Sequence, residues 1–254
     1  MIRFSLLGSG SSGNALLVSY PEGTILVDCG LSHKRLLERA AAVGESLDDL
    51  KAVFITHEHG DHVLGLGTLA RRAKVPVYLT QGTLDHLPKS IGILPNHAVI
   101  EADETVTLGE LQIQSFTVDH DAEDPVSYVI RYRGCQLGIA TDLGNVTGLV
   151  KKRLEGSHAL ILESNYCEKL LLRSSYPAAI RQRIASSKGH LSNAKMNSLL
   201  ASLMHDGLQW VVAVHISQEN NTADLARSMA QRVLGAHPAR LILAQQDEPT
   251  PLFD

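Results

Sequence analysis

Residues Ile55-Thr56-His57-Glu58-His59-Gly60-Asp61-His62 constrain this chain more than any other stretch. From His57 to His62 they pack three imidazoles and two carboxylates into six positions, directly after the apolar run Ala52-Val53-Phe54-Ile55. At an extended strand end, residues two apart point the same way, so His57 and His59 can share one metal ion. Asp61 and His62 fall where the chain turns into the next helix and can hold a second ion close by. Nitrogen and carboxylate donors without cysteine suit Zn²⁺ and also Mn²⁺ or Fe²⁺, so the motif predicts a metal without choosing it.

The remaining chain must supply a core and the missing ligands. Its 254 residues are 44% hydrophobic, which is ample for one α/β domain spanning 1–254. The formal net charge of −4 gives no global attraction to nucleic acid, so any such contact must come from local charge. Cys29, Cys135 and Cys167 are odd in number and lack paired spacing, which fits free thiols in a reducing compartment. No apolar run is long enough for a signal segment or a membrane span, and the reading is a soluble cytoplasmic protein.

Patterning predicts strands at 2–7 and 15–20 around a Gly/Ser turn, and a third at 23–30 whose Asp28 orients the metal loop rather than ligating metal. Helices are expected over 31–44 and 63–73, with a strand at 75–79 between that second helix and His86 and His97, both read as loop residues. A hairpin of 106–108 and 111–118 delivers His120 at a strand end. Strands 127–131 and 136–140 follow, the second leading into Asp142. A helix at 148–154, a strand at 159–165, a helix at 194–204 capped by Ser192 or Asn193, and a strand at 210–217 carrying His215 come next. A helix at 222–234 and a strand at 239–244 complete the pattern, and the tail from Gln245 carries no functional signal.

Charge changes sharply late in the chain. From Lys169 to His205 there is no acidic residue, while Lys169, Arg173, Arg181, Arg183, Lys188 and Lys195 accumulate. In an acidic protein such a segment reads as a phosphate-facing patch, and the loop Gly189-His190-Leu191-Ser192-Asn193 within it can present His190 to substrate.

The spacing His57-x-His59-x-Asp61-His62 resembles the signature of the metallo-β-lactamase-fold hydrolases. Gly8 to Asn14, His120-Asp121-Ala122 with Asp124-Pro125-Val126, Glu163-Ser164-Asn165, Gly189 to Asn193, and His215-Ile216-Ser217 with Asn220-Asn221 resemble its bacterial YycJ-like branch. Ser127-Tyr128 and Tyr166 depart from that pattern. The resemblance implies an αββα four-layer sandwich, a dinuclear metal centre holding Zn²⁺ or Mn²⁺, and phosphodiesterase chemistry, with 5′-to-3′ exonuclease action on DNA.

Seven strand-end ligands then distribute as His57, His59 and His120 on one ion and Asp61, His62 and His215 on the other. Asp142 bridges them, in likeness to the superfamily's bridging aspartate. A water shared by two ions would be acidified toward neutrality and attack as hydroxide. Asp61 and His190 are assigned to the chemistry, His190 to protonate the leaving group or grip the phosphate. His190, Ser192, Asn193, Arg181, Arg183 and Lys188 are the candidate substrate contacts. The expected partner is nucleic acid, DNA ahead of RNA, or another phosphodiester, with no membrane and an open oligomeric state. Rival readings are a small-molecule cyclic phosphodiesterase, a thioesterase similar to glyoxalase II and a non-catalytic metal-loaded nucleic-acid-binding module. A β-lactamase is disfavoured because Asp142 stands where those enzymes favour cysteine.

Overall fold

The structure, a computed structural model, describes residues 2–254. The chain forms two compact units. The first contains the chain up to Ser115 together with Ala122–Val126 and Ala244–Asp254; the second contains Phe116–Asp121 and Ser127–Leu243.

The first unit carries a six-stranded sheet of β1 (Arg3–Gly8), β2 (Ala15–Tyr20), β3 (Gly23–Val27), β4 (Leu50–Phe54), β5 (Val77–Leu79) and β6 (His97–Val99), in that order. Short turns join β1 to β2 and β2 to β3, and these pairs are antiparallel. Crossovers long enough to include helices make β3 to β6 parallel. β2 and β3 are buried at every position, which explains their unbroken apolar runs.

Helix α1 (His33–Ala42) begins where the Ser32 hydroxyl accepts from the Arg35 N–H and turns Leu36, Arg39 and Ala40 inward. The single helix expected over 63–73 is instead two, α2 (Gly60–Val63) and α3 (Leu66–Ala73). The break has a steric cause: a Cβ at Gly65 would lie 2.0 Å from the Leu31 carbonyl oxygen, and the Gly65 N–H donates to the Cys29 carbonyl. His86 and His97 are also corrected. His86 ends helix α4 (Gln81–His86), which Thr80 caps, and His97 opens β6. Both elements are too short and polar to show a periodicity.

The tail joins the first unit. Phe253 bridges to Phe4, the Thr250 N–H donates to the Leu6 carbonyl, and Arg39 Nη1 donates to the carbonyls of Leu7 and Gln246. A hairpin of β7 (Thr105–Leu108) and β8 (Leu111–Thr117) leads out toward His120.

In the second unit, β9 (Val126–Tyr132) and β10 (Cys135–Ala140) form a hairpin across Arg133-Gly134, both at positive φ, the turn whose twist matches its strands. Next to β10 lie β11 (Ala159–Glu163), β12 (Trp210–Val214) and β13 (Arg240–Leu243), all parallel. Helices α5 (Gly148–Leu154), α8 (Asn193–Leu203) and α9 (Ala223–Leu234) make the crossovers, capped by the hydroxyls of Thr147, Ser192 and Thr222. Between β11 and α8 the basic segment folds into two helices the sequence did not announce, α6 (Glu168–Arg173) and α7 (Ala178–Ala185).

Each unit is thus a mixed sheet with flanking helices. Apart from His120, which follows the antiparallel β8, the chemically active residues of each follow the carboxyl ends of parallel strands, where open α/β sheets bind ligands.

Candidate metal centre

In the first unit the site begins at two strand ends. After β3 the chain turns sharply at Asp28, whose φ of 63° is uncommon for a residue with a side chain. The turn brings its carboxylate to the end of β4. Asp28 accepts from the Thr56 N–H and hydroxyl at 2.9–3.0 Å and from His62 Nδ1 at 2.8 Å, and both the carboxylate and the imidazole are buried. Because Nδ1 donates to the carboxylate, His62 Nε2 carries the lone pair and accepts from the Asn14 amide at 3.0 Å. That nitrogen lies 3.5 Å from Asp61 Oδ2, and the Asn14 amide donates to the same Asp61 oxygen. Asp28 is therefore an orienting group, as expected.

His57 and His59 meet edge to face, with His57 Nε2 and His59 Nδ1 3.1 Å apart. Two nitrogens bound tetrahedrally to one zinc at ~2.05 Å stand about 3.3 Å apart, so this pair fits a shared ion. Gly30 lets the loop close: a Cβ there would lie 1.7 Å from the Asp61 carbonyl oxygen.

The second unit repeats the device. Asp142 and His215 follow β10 and β12 with φ of 54° and 53°, again left-handed. Asp142 Oδ1 lies 2.9 Å from His215 Nδ1. At the end of β11 stands Glu163, wholly buried; its Oε2 accepts from the backbone N–H groups of Leu143 and Leu191, and its Oε1 meets His190 Nδ1 at 2.7 Å and His215 Nδ1 at 3.2 Å. One ligand atom each from Asp142, Glu163, His190 and His215 lie within 4.8 Å of one another. His120 Nδ1 donates to the Gly189 carbonyl at 3.1 Å, with Nε2 left 3.3 Å from Asp121 Oδ1.

Electrostatics follow from this crowding. Burial opposes charge on His215, but Asp142 and Glu163 outweigh it and hold its pKa well above the ordinary value. Burial likewise opposes charge on His190, and Glu163 again overcomes it and raises the pKa. Burial would lift the Glu163 carboxyl, yet the His190 charge and hydrogen bond pull it down. At His120 burial wins over Asp142, and the pKa falls. Carboxylates that favour positive charge on His190 and His215 also favour an added cation, and the donor set fits divalent ions.

Glu163 was legible only as the polar end of a buried strand, and its role as the acceptor for two imidazoles was missed. An acid closing an apolar strand, in a chain whose other strand ends carry ligands, was the available signal. Two proposed substrate contacts are corrected. Ser192 is buried with its hydroxyl capping α8, and Asn193 is fully buried, accepting from Ser164 and Asn221 and donating to Asn221. They hold the His190 loop in place and have no surface to offer a substrate. Arg181 Nη1 donates to the carbonyls of Ser174 and Tyr176, Arg183 pairs with Asp121 at 2.9 Å, and Lys188 is exposed.

Residues 23–216 match the family described as the Beta-lactamase superfamily domain. The Exodeoxyribonuclease YycJ of Bacillus anthracis is 34% identical over 235 residues, covering 92% of this chain and 89% of that protein. The Exodeoxyribonuclease WalJ of Streptococcus pneumoniae is 32% identical over 242 residues, covering 92% and 90%. The metallo-β-lactamase fold protein YhfI from Bacillus subtilis superposes with a TM-score of 0.75 at 17% identity over 98% of this chain and 99% of that one, a likeness of fold.

Proposed function

For a chain that belongs to the metallo-β-lactamase superfamily and its YycJ/WalJ-like branch, and is a metal-dependent hydrolase, we propose phosphodiester hydrolysis on DNA, proceeding from a 5′ end as an exonuclease. The observation that carries this reading is the clustering of nitrogen and carboxylate donors with His190, whose Nδ1 meets Glu163 Oε1 at 2.7 Å and whose pKa that carboxylate raises against the effect of burial.

His57, His59, Asp61 and His62 of the first unit and His120, Asp142 and His215 of the second would be the metal-holding donors; Zn²⁺ or Mn²⁺ suits them, with Fe²⁺ as a third candidate. When bound, a pair of such ions acidifies water and neutralises charge on a phosphate. The chain's own residues do the rest. Asp28 and Glu163 fix ring orientation, so the imidazoles need not reorganise as the cations enter. His190, its ring partly open to solvent, carries a proton for the departing alkoxide. Asp61, held by the Asn14 amide, orients the attacking water. Lys188 and the exposed cations of α6 and α7 attract the polynucleotide. Three free cysteines and the absence of any helix long and apolar enough to cross a membrane among the described residues accord with the cytoplasm as its compartment.

The test sets an oligonucleotide beside an aryl phosphodiester and a thioester. The reading predicts turnover of both phosphodiesters, lost on Asp142→Ala or His59→Ala with far-UV circular dichroism unchanged. Thioester turnover alone would overturn it. The overall charge of −4 favours one alternative, a small-molecule phosphodiesterase, and hydrolysis of the aryl diester without any cleavage of DNA would establish it.

A further inference from the structure

Resting on the phosphodiesterase reading, we propose that the cavity between α6 and α7 is a subsite for one unstacked nucleobase of the substrate. The cavity measures about 330 Å³, at the small end of the ~300–1,000 Å³ range in which small molecules are seated. Tyr166, Leu171, Ala178 and Ala185 give it apolar walls, and Glu168 and Gln182 add polar groups to its lining. Leu172, also in the lining, is 77% exposed.

A nucleobase has two flat apolar faces and an edge of donors and acceptors, and this combination of walls and polar groups complements both. Glu168 favours a base over a free phosphate: its carboxylate repels phosphate but accepts from the exocyclic amine of adenine, cytosine or guanine, while the Arg181 guanidinium in the same lining is engaged by the Ser174 and Tyr176 carbonyls. The phosphates have their own partners, since Lys169, Arg173 and Lys188 are exposed in the stretch that lacks acids.

The cavity is held open and lies near the chemistry. Arg181 donates to the Ser174 and Tyr176 carbonyls and so fixes the turn joining the two helices. Tyr166 follows Glu163 by three residues, roughly 10 Å of extended chain at most, a span one or two nucleotides cover. Its carbonyl accepts from the Asn193 N–H, and it pairs with Ser192, in the loop that carries His190.

The test uses the full chain and single-stranded oligonucleotides carrying 2-aminopurine at successive positions from the 5′ end, with chelator present to stop turnover. Ala178→Leu with Ala185→Leu fills the cavity from two exposed helix positions, so the fold is retained. We expect the emission of 2-aminopurine to change at one register in the native protein and to stay flat in the double variant. The KM for oligonucleotide should rise about tenfold in the variant, as should the native protein's KM when an abasic residue occupies that register, while kcat on the aryl phosphodiester is unchanged. Equal emission and equal KM in both proteins would overturn the subsite while leaving the phosphodiesterase reading intact. If the native protein hydrolyses neither DNA nor the aryl diester, the catalytic reading itself falls, whatever the base probe reports.

Discussion

Three residues with side chains, Asp28, Asp142 and His215, sit in left-handed backbone at the ends of parallel strands. Each such position costs about 1–3 kcal/mol, and such strain gathers where function holds it in place. Here the turn swings a ligand-type group off the strand axis. Glu163 supports two of the imidazoles from below, and Glu163→Gln replaces one charged acceptor by a neutral amide. We expect metal affinity to fall about 10–100-fold with little change in the circular dichroism spectrum, measured by competition with a chromophoric chelator. Wild-type affinity in that variant would mean that Glu163 only fills space. A second residue-scale outcome concerns thiols. Burial, reinforced by Asp28, pushes the Cys29 thiol far up, whereas Cys135 and Cys167 are partly exposed. A thiol reagent should therefore label Cys135 and Cys167 in the native protein and reach Cys29 only on unfolding, as peptide mapping can show.

At the scale of elements, the metal loop depends on Gly30. Gly30→Ala forces a methyl against the Asp61 carbonyl, and we expect a loss of about 3 kcal/mol in urea unfolding together with weakened metal binding. The basic segment divides in two. Arg181 braces the turn between α6 and α7, so Arg181→Ala should lower stability, whereas Lys188→Ala should raise KM for a polynucleotide and leave an aryl diester untouched. Equal losses on both substrates for Lys188→Ala would remove the phosphate-facing role of this segment. The same segment shows where sequence reading stops. Strands ending in Asp142 and His215 were visible because each is a short apolar run with a ligand-type residue at its terminus. α6 and α7 are short, largely exposed helices in which charge swamps any periodicity, so only their sign of charge was readable. Ser192 and Asn193 misled for a related reason. A polar residue in a loop looks alike whether it faces substrate or caps a buried helix, and only burial separates the two.

For the whole molecule, a large apolar cluster within each unit explains why so much of the fold was legible. Leu17, Leu26, Val53 and Val77 belong to the first, and Val129, Leu160, Leu162 and Val211 to the second, all of them in the predicted apolar runs. The tail was not legible, because it meets β1 through backbone pairing and the isolated side chains of Thr250 and Phe253, too few to show a period. Bound cations would stabilise the native chain by mass action, so exhaustive chelation should lower the melting temperature as well as abolish turnover, and readdition of Mn²⁺ or Zn²⁺ should restore both. The most direct test of the account is the length distribution of 5′-phosphorylated, 3′-end-labelled double-stranded DNA over time with Mn²⁺ or Zn²⁺. The account predicts progressive shortening of the labelled strand from its 5′ end, absent in Asp142→Ala; labelled strands that keep their full length, or internal fragments that appear first, would contradict it.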